Sequence, residues 1–507
     1  MNETMKAGIN QNSAKTGLTL ENAAQASASH LSQIHADAVS AIVGKDNLLT
    51  GLPDRYAYSR DRLPFALYQL RAQKLPATLP SAIALPGNTE EIAAILRYSH
   101  ENGIRVIPFG AGSGVLGGTI PLVNEVMIDL KRLNQIVSIN PEDAMVTVQA
   151  GMNGWQFEEA LRSNGYTAGH LPQSITMSTV GGWAACRGAG QASSRYGKIE
   201  DIVVGLKSLL PDGRPLEVRP LSRRAVGPSI KDILVGSEGV LGIITELTLR
   251  IWKLPEHTTA SVMAFPSIQH GFDACREIMQ SELRPEVVRL YDEVESAQRT
   301  TGMGEFKTRP ILCILKFSGK KALSQAEQDL ALEICSRHGA VVTGDAPYRH
   351  WEETRFHSYS TQWQTDGYYM DTIEVTGNWS KLSKMYESIR TAVQSIHPQI
   401  HFGAHWSHVY PEGACQYMTV RLPPMEHEQA LALHRKAWET VESLCLDLGG
   451  SIAHHHGAGL FRGPWMQREL NSGLDLIQIL KDGLDPDNLL NPGKLGLRQP
   501  TGSAWKE

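Results

Sequence analysis

Two groups of side chains in this sequence of 507 residues could move protons: the run His454-His455-His456 and the tyrosine Tyr417. Histidine has the reference pKa nearest neutrality and suits a general base. Tyrosine serves only when positive charge nearby lowers its pKa, and protonated members of the histidine run are the source the sequence offers. On a strand, three consecutive residues point alternately, so at most two of these imidazoles would share a face. A second set, His401, His405 and His408, lies just before Tyr410. His405 and His408 stand at i, i+3, a metal-ligand spacing if the segment is helical.

Three runs of small residues could hold a large ligand for those groups to act on. The first is Pro108-Phe109-Gly110-Ala111-Gly112-Ser113-Gly114, with Gly117 and Gly118 beyond it. Successive glycines let backbone N–H groups converge on a pyrophosphate without interference from Cβ atoms. A nicotinamide-type Rossmann site needs a helix directly after its glycines. Here VLGGTIP follows, which cannot start a stable helix, so the loop must feed a strand. In the second run, Leu171 to Gly190, Gly181 and Gly182 with Ser178, Thr179, Ala184 and Ala185 admit a large flat ligand and offer polar donors. The third, Gly236 to Ile244, is another bend where backbone can meet a ligand.

The elements that position these runs follow from local signals. Ile83 to Leu85 reads as a strand. Asn88 caps a helix with Glu90 and Glu91 in its first turn and an Ile92, Ile95, Leu96 stripe, and Gly103 ends it. Arg105 to Pro108 then runs as a strand into the glycines, completing a βαβ unit. Strands are predicted over Val126 to Leu130, Ile136 to Ile139 and Met145 to Ala150, and a helix over Trp155 to Asn164. Ile202 to Leu210 and Leu216 to Arg219 read as a hairpin closed by Pro211-Asp212-Gly213. Gly242 to Trp252 reads as a strand with one wet face. Past Pro255, strands at Ser261 to Phe265 and Ile311 to Phe317 alternate with helices at Ile268 to Ser281 and Leu323 to Arg337. That pattern predicts a separate α+β domain with an antiparallel sheet against helices. A helix is expected over Ala26 to Val43 and another over Pro464 to Asp482.

Length predicts two to four domains. The reading divides the chain into an N-terminal helical arm (1–64), a ligand-binding domain (65–255), a substrate or cap domain (256–450) and a segment (451–507) that returns to the first domain. The net charge of −5 argues against a nucleic-acid partner. No stretch reaches the roughly 20 apolar residues of a membrane span, and the polar N-terminus lacks a signal peptide's apolar core. Six scattered cysteines without a CxxC pair read as reduced thiols of a cytoplasmic protein.

In this order, the three small-residue runs resemble the FAD-binding domain of the vanillyl-alcohol-oxidase/p-cresol-methylhydroxylase flavoprotein family. The resemblance covers the chain from about Leu79 to Leu495. GYTAGHLPQSITMSTVGGWAACRGAGQASSRYGKIEDIV, VGPSIKDILVGSEGVLGIITE, YPEGACQY and SIAHHHGAG are similar to alkylglycerone-phosphate synthases and their bacterial relatives. DPDNLLNPGKL is similar to the ending of FAD-linked oxidases such as glycolate oxidase and D-lactate dehydrogenase subunits. The resemblance implies an α+β fold, with a two-subdomain FAD-binding domain of the p-cresol-methylhydroxylase type and an α+β cap built on an antiparallel sheet.

It also implies site residues. FAD contacts are expected from Pro108, Phe109, Gly110, Ala111, Gly112, Ser113 and Gly114. Others are expected from Pro172, Gln173, Ser174, Ser178 and Thr179, and from Gly182, Ala185, Cys186, Arg187 and Gly188. Glu238, Gly239, Gly242, Ile243 and Ile244 complete the cofactor set. Tyr417 stands where the branch keeps its acid/base tyrosine, with His454, His455 and His456 at the reacting face, and Arg355, His408 and Arg421 are the substrate-binding candidates. Relatives that bond FAD covalently keep a histidine in the Gly-rich loop; Gly112-Ser113 replaces it, so the FAD is expected to be non-covalent. Related hydroxy-acid dehydrogenases hold a metal through a Glu-His-Gly element, and His455-His456-Gly457 lacks the acid, so no metal is expected. Alkylglycerone-phosphate synthases keep a cap-domain arginine for phosphate, whereas Arg355 to Trp363 has none after Arg355.

The expected function is therefore an FAD-dependent oxidoreductase passing hydride from a small alcohol or 2-hydroxy acid to flavin N5. The alternatives are acyl-for-alkyl exchange of the synthase type, and a non-catalytic flavin-binding subunit. The substrate is a small molecule, and a homodimer is compatible with the resemblance.

Overall fold

The computed structural model describes residues 30–505 apart from 75, 77, 358–362 and 364. Its N-terminal part has helices α1 (Gln33–Val43), α2 (Leu52–Ala57) and α3 (Pro64–Arg71) and a short strand β1 (Leu48–Leu49). The predicted first helix thus starts at Gln33; its first four predicted residues, 26–29, lie outside the described part.

β2 (Ala82–Ala84), α4 (Thr89–Asn102), β3 (Val106–Phe109) and β4 (Val126–Asp129) form the next unit. The Asn88 side chain accepts from the Glu91 N–H, and Gly103 closes the helix in the left-handed conformation at φ 65°. Ile92, Ile95 and Leu96 are buried, as their spacing predicts. β2 and β3 do not touch: both pair in parallel with β4, giving the sheet order β1-β2-β4-β3. No helix lies between Gly110 and β4. The glycine loop feeds a strand, as its sequence requires.

The second sheet is antiparallel, with β5 (Ile136–Asn140), β6 (Met145–Gln149), β7 (Val203–Leu209), β8 (Pro215–Val218) and β9 (Ile243–Arg250) in the order β5-β6-β9-β7-β8. β7 and β8 form the predicted hairpin. β9 keeps the predicted wet face, where Glu246 pairs with the exposed Lys207 of β7 and Arg250 is exposed, while Ile244, Leu247 and Leu249 pack into the core of the second sheet. Only at its start does the strand reach the other core, which Ile243 enters. Helix α5 (Gly154–Ser163), ahead of the second small-residue run, and α6 (Val180–Ala185), within it, both pack on this sheet.

The third sheet has seven antiparallel strands: β10 (His257–Phe265), β11 (Val287–Tyr291), β12 (Ile311–Gly319), β13 (Val341–Val342), β14 (Tyr369–Asn378), β15 (His401–Val409) and β16 (Gly413–Leu422). Their order is β13-β10-β12-β11-β15-β16-β14. α7 (Ile268–Gln280), α8 (Lys321–Arg337), α9 (Trp379–Ile396) and α10 (His427–Asp447) share one core with this sheet. Period-2 alternation then decides what the other face carries. On β16, Met418, Val420 and Leu422 enter that core, which turns Tyr417, Thr419 and Arg421 to the opposite side.

The predicted helix after Pro464 is broken into α11 (Met466–Leu470) and α12 (Ser472–Leu484) by Asn471, whose φ is 49°. Residues 485–495 return to the first sheet. Leu490 forms a parallel bridge with Val106, the Asn491 amide donates to the carbonyls of Gly118 and Glu238, and Lys494 donates to Ile120 O. Among the described residues no helix is long and apolar enough to cross a membrane.

Candidate active site

The three small-residue runs and the open face of the seven-stranded sheet line one cavity of about 920 Å³. That is near the upper end for a small-molecule site. Its wall includes Pro108, Gly110 to Gly114, Pro172, Gln173, Ser174, Ser178, Thr179, Gly182, Ala185, Cys186, Gly188, Glu238, Gly239, Gly242, Ile243 and Ile244. Phe109 and Arg187 are off the wall. The Phe109 ring is buried beneath the loop against Tyr58, at 4.7 Å between ring centroids. Arg187 turns outward at φ 53° and pairs with Glu200, because the chain reverses there to place Gly188.

The residues fit a dinucleotide on two counts. His170 is buried on this wall, and neither of its ring nitrogens has a hydrogen-bond partner. Such a group is costly unless a ligand supplies the missing bond. The loop glycines also leave room that side chains would fill: a Cβ on Gly110 would lie 2.5 Å from the Thr179 hydroxyl. Ser178 and Thr179 already accept from Trp183 Nε1 and Gly182 N, which leaves their hydroxyl protons for a ligand.

The opposite wall carries Tyr417, His405, His408, His455, His456 and Arg421. His405 and His408 are not helical. They lie on β15, where an extra residue between Trp406 and His408 shifts the register. That bulge brings side chains at i and i+3 to one face, which a regular strand would separate. The histidine run is not a strand either. Its backbone wraps the Glu374 carboxylate, which accepts from the N–H groups of His454, His455 and His456 at 2.5, 3.4 and 3.0 Å. Glu374 is held in turn by the buried Arg462, which also donates to Glu442. Burial alone would raise the Glu374 carboxyl, but Arg462, the nearby His456 ring and the backbone donors hold it below its ordinary value. Glu442, sharing the same guanidinium, is pushed up to about 8 by burial. One guanidinium thus balances one carboxylate.

His455 and His456 reach the cavity, whereas His454 sits behind them against His408 and Tyr410. Tyr417 stacks on His405 at 4.9 Å and on His455 at 5.9 Å. Burial pushes its phenol well above the ordinary value. Burial also pushes His170 and His408 down to about 3, holds His405, His454 and His455 well below the usual range, and lowers His456 against the pull of Glu374. The expectation that imidazolium groups lower the tyrosine pKa is therefore overturned: these rings are neutral. The Cys186 thiol, pushed up to about 12 chiefly by burial, stays protonated.

Arg355 does not reach the wall. It is buried behind Gln191, donating to that side chain and to Glu352; residues 358–362 of the stretch that follows it lie outside the described part. Arg421 does reach it, and its Nε and Nη1 are buried without partners. Arg289 and Arg299 join it on the wall. Sequence reasoning missed both, as it missed His170. Arg289 had a usable signal, a lone charge in the apolar strand Val287–Tyr291, and Arg299 had none. Two groups have metal-ligand spacing, His408 with His454 and His455, and Glu374 with Cys415 and His455. Their polar atoms already hydrogen-bond to Ser193, Tyr410, Arg462 and one another.

Comparison with known proteins agrees with this geometry. The FAD binding domain family matches residues 80–219, and the family of FAD linked oxidases, C-terminal domain, matches residues 254–495. An uncharacterized FAD-linked oxidoreductase of Escherichia coli O157:H7 is 32% identical over 479 residues, spanning 90% of this chain and 97% of that protein. The chain belongs to the FAD-linked oxidoreductases. FAD is its cofactor, and the enzyme is an FAD-dependent oxidoreductase. This FAD-linked oxidoreductase is also 30% identical to the alkyldihydroxyacetonephosphate synthase of Dictyostelium discoideum, over 82% of this chain and 73% of that one. It is 25% identical to a mitochondrial D-lactate dehydrogenase (cytochrome) of Arabidopsis thaliana, over 89% and 78%. A solved alkyldihydroxyacetonephosphate synthase superposes with a TM-score of 0.77 at 25% identity, over 94% of this chain and 88% of that one. The α+β fold with its FAD-binding and cap parts is the fold of that structure.

Proposed function

We propose that the enzyme oxidises a small 2-hydroxy acid, with Arg421 taking the carboxylate and His455 the hydroxyl proton. The observation that carries this reading is one wall with two unmet needs. Arg421 has two buried N–H-bearing nitrogens without an acceptor, and the neutral His455 faces the same space. A guanidinium fork suits a planar carboxylate, and charge-assisted bonds are about twice as strong as neutral ones. With His455 Nδ1–H donating to His454 Nδ1, His455 Nε2 is the acceptor for the substrate hydroxyl. Tyr417, Thr372 and Thr419 line the same wall, where they would orient the carbinol carbon. FAD, when bound, supplies the hydride acceptor. Anaerobic mixing with a panel of 2-hydroxy acids tests the reading: bleaching of the flavin by at least one of them is expected, and none bleaching would overturn it.

Arg421→Met should raise the KM for the acid roughly 10- to 100-fold, the loss of about 1.5–3 kcal/mol from one charged hydrogen-bonded contact, while leaving kcat within a few-fold. Steady-state kinetics would read this split.

The pH profile follows from the depressed imidazoles. A base with a lowered pKa is already deprotonated at neutrality, and its active form is lost only well to the acid side. The rate of flavin bleaching should therefore stay level from pH 8 down to about pH 5.5, crossing the ordinary histidine pKa of about 6.5 without inflection. Glu238 and Asp61 are wall groups near neutrality, pushed up by burial to about 7 and about 6 against their backbone donors. Stopped-flow profiles in a Glu238→Gln, Asp61→Asn background remove both. A midpoint near pH 6.5 there would mean a solvated histidine base.

A second reading, acyl-for-alkyl exchange, draws support from the synthase relatives and from Arg289, Arg299 and Arg421, any of which could meet a phosphate that Arg355 cannot reach. Transfer of a labelled long-chain alcohol into an acyl dihydroxyacetone phosphate would favour it. Silence in both assays would leave a flavin-binding subunit. We read the FAD as non-covalent, because the loop from Gly110 to Gly114 presents no histidine. Six unpaired cysteines, five of them buried, support a reducing, cytoplasmic setting, and a homodimer is compatible with the family resemblance.

A further inference from the structure

A chain of hydrogen bonds runs through the seam where three separate parts of the protein meet. His455 Nδ1 lies 2.9 Å from His454 Nδ1, and His454 Nε2 lies 3.0 Å from the Tyr410 hydroxyl. That hydroxyl is 3.1 Å from Ser193 Oγ, which is 2.8 Å from His408 Nδ1. Ser193 comes from the segment after the second small-residue run, Tyr410 and His408 from the end of β15, and the other two from the loop around Glu374. Lys198 donates to the His454 carbonyl at 2.6 Å and fixes that loop against the seam. His455 and His408, the two ends, both line the cavity; the three groups between them do not.

We propose that His454, Tyr410 and Ser193 are a proton relay that carries the hydroxyl proton taken by His455 to His408. The inference rests on the reading of His455 as the base. The donors and acceptors close without conflict in one direction: His455 Nδ1–H donates to His454, His454 Nε2–H to Tyr410, Tyr410 O–H to Ser193, and Ser193 O–H to His408 Nδ1. When the substrate O–H bond breaks and an N–H bond forms at His455 Nε2, each link passes its proton onward and receives one. The net change is one N–H bond made at His408 Nδ1 and one broken at its Nε2, whose proton passes to water in the cavity that His408 lines. The substrate's electron pair leaves with the hydride to FAD, so the relay moves protons only. Burial disfavours a charged state at every link, lowering the imidazoles and raising the Tyr410 phenol. The proton therefore passes through and does not rest there. Each hydroxyl and ring between the two ends has a donor behind it and an acceptor ahead of it, which is what a relay requires.

Tyr410→Phe and Ser193→Ala each cut the relay, and Ser193→Thr keeps the hydroxyl. Flavin bleaching should slow roughly 10- to 100-fold in the first two, at the low end of what one proton-transfer group contributes, and recover in Ser193→Thr. Substrate affinity and flavin absorbance should not move. A proton inventory in mixed light and heavy water should be curved in the wild type and straight in Tyr410→Phe. Independently of turnover, ¹⁵N-histidine spectra should show His454 protonated at Nε2 in the wild type and changed in Tyr410→Phe. If His455→Gln stops bleaching while both relay variants keep the wild-type rate and curvature, the relay is wrong and the base stands. If His455→Gln bleaches normally, the base reading has failed first.

Discussion

Gly112→Val is expected to purify colourless. Gly112 sits at φ 61°, where a β-branched residue is strained, and its added Cβ would lie 2.7 Å from the Phe109 ring. Phe109 cannot yield easily, being buried against Tyr58 with the Lys131 ammonium over its face. Left-handed strain of about 1–2 kcal/mol and overpacking of about 1–3 kcal/mol together shift the loop. At 1.4 kcal/mol per decade, FAD affinity should fall roughly 30- to 4,000-fold. The loss is local, since Phe109 belongs to the small cluster of Ile83, Ile107 and Met127, while the larger core of the first sheet, with Val106, Val126 and Ile128, lies on its other face. Far-ultraviolet dichroism should match the wild type while the flavin-to-protein absorbance ratio drops towards zero. A folded variant carrying stoichiometric flavin would place the cradle elsewhere.

His455→Gln is expected to slow flavin bleaching by about 10²–10⁴, the usual contribution of a positioned base, with the bound flavin's spectrum unchanged. Tyr417→Phe should cost far less. Its phenol is raised by burial in a shell of neutral imidazoles, so at neutral pH it can donate a hydrogen bond but cannot take a proton. Losing one neutral hydrogen bond of about 0.5–1.5 kcal/mol corresponds to roughly 2- to 10-fold. Rapid-mixing measurements on both variants rank the two residues, and the reverse order would make Tyr417 the base.

Much of the cofactor end was legible because its signals are local. Asn88, Glu91 and Gly103 bound α4 through their own backbone contacts, and the VLGGTIP segment after the glycine loop excludes a helix whatever surrounds it. The cap end was less legible because its geometry depends on partners. His405 and His408 share a face only because of a bulge, and the histidine run turns as it does because Glu374, eighty residues earlier, sits at its centre. Arg421 could be named from sequence, but its unmet bonds could not. Asn471 shows the opposite failure: an apparently continuous helical pattern was broken by one residue in the left-handed region.

The parallel bridge from Leu490 to Val106 and the reach of Asn491 to Gly118 and Glu238 have a consequence for how the enzyme is made. The first two small-residue runs leave the ribosome hundreds of residues before the segment that locks them. Flavin capture must therefore wait for almost the whole polypeptide, and a nick before residue 485 would let the pigment leak from an otherwise intact shell.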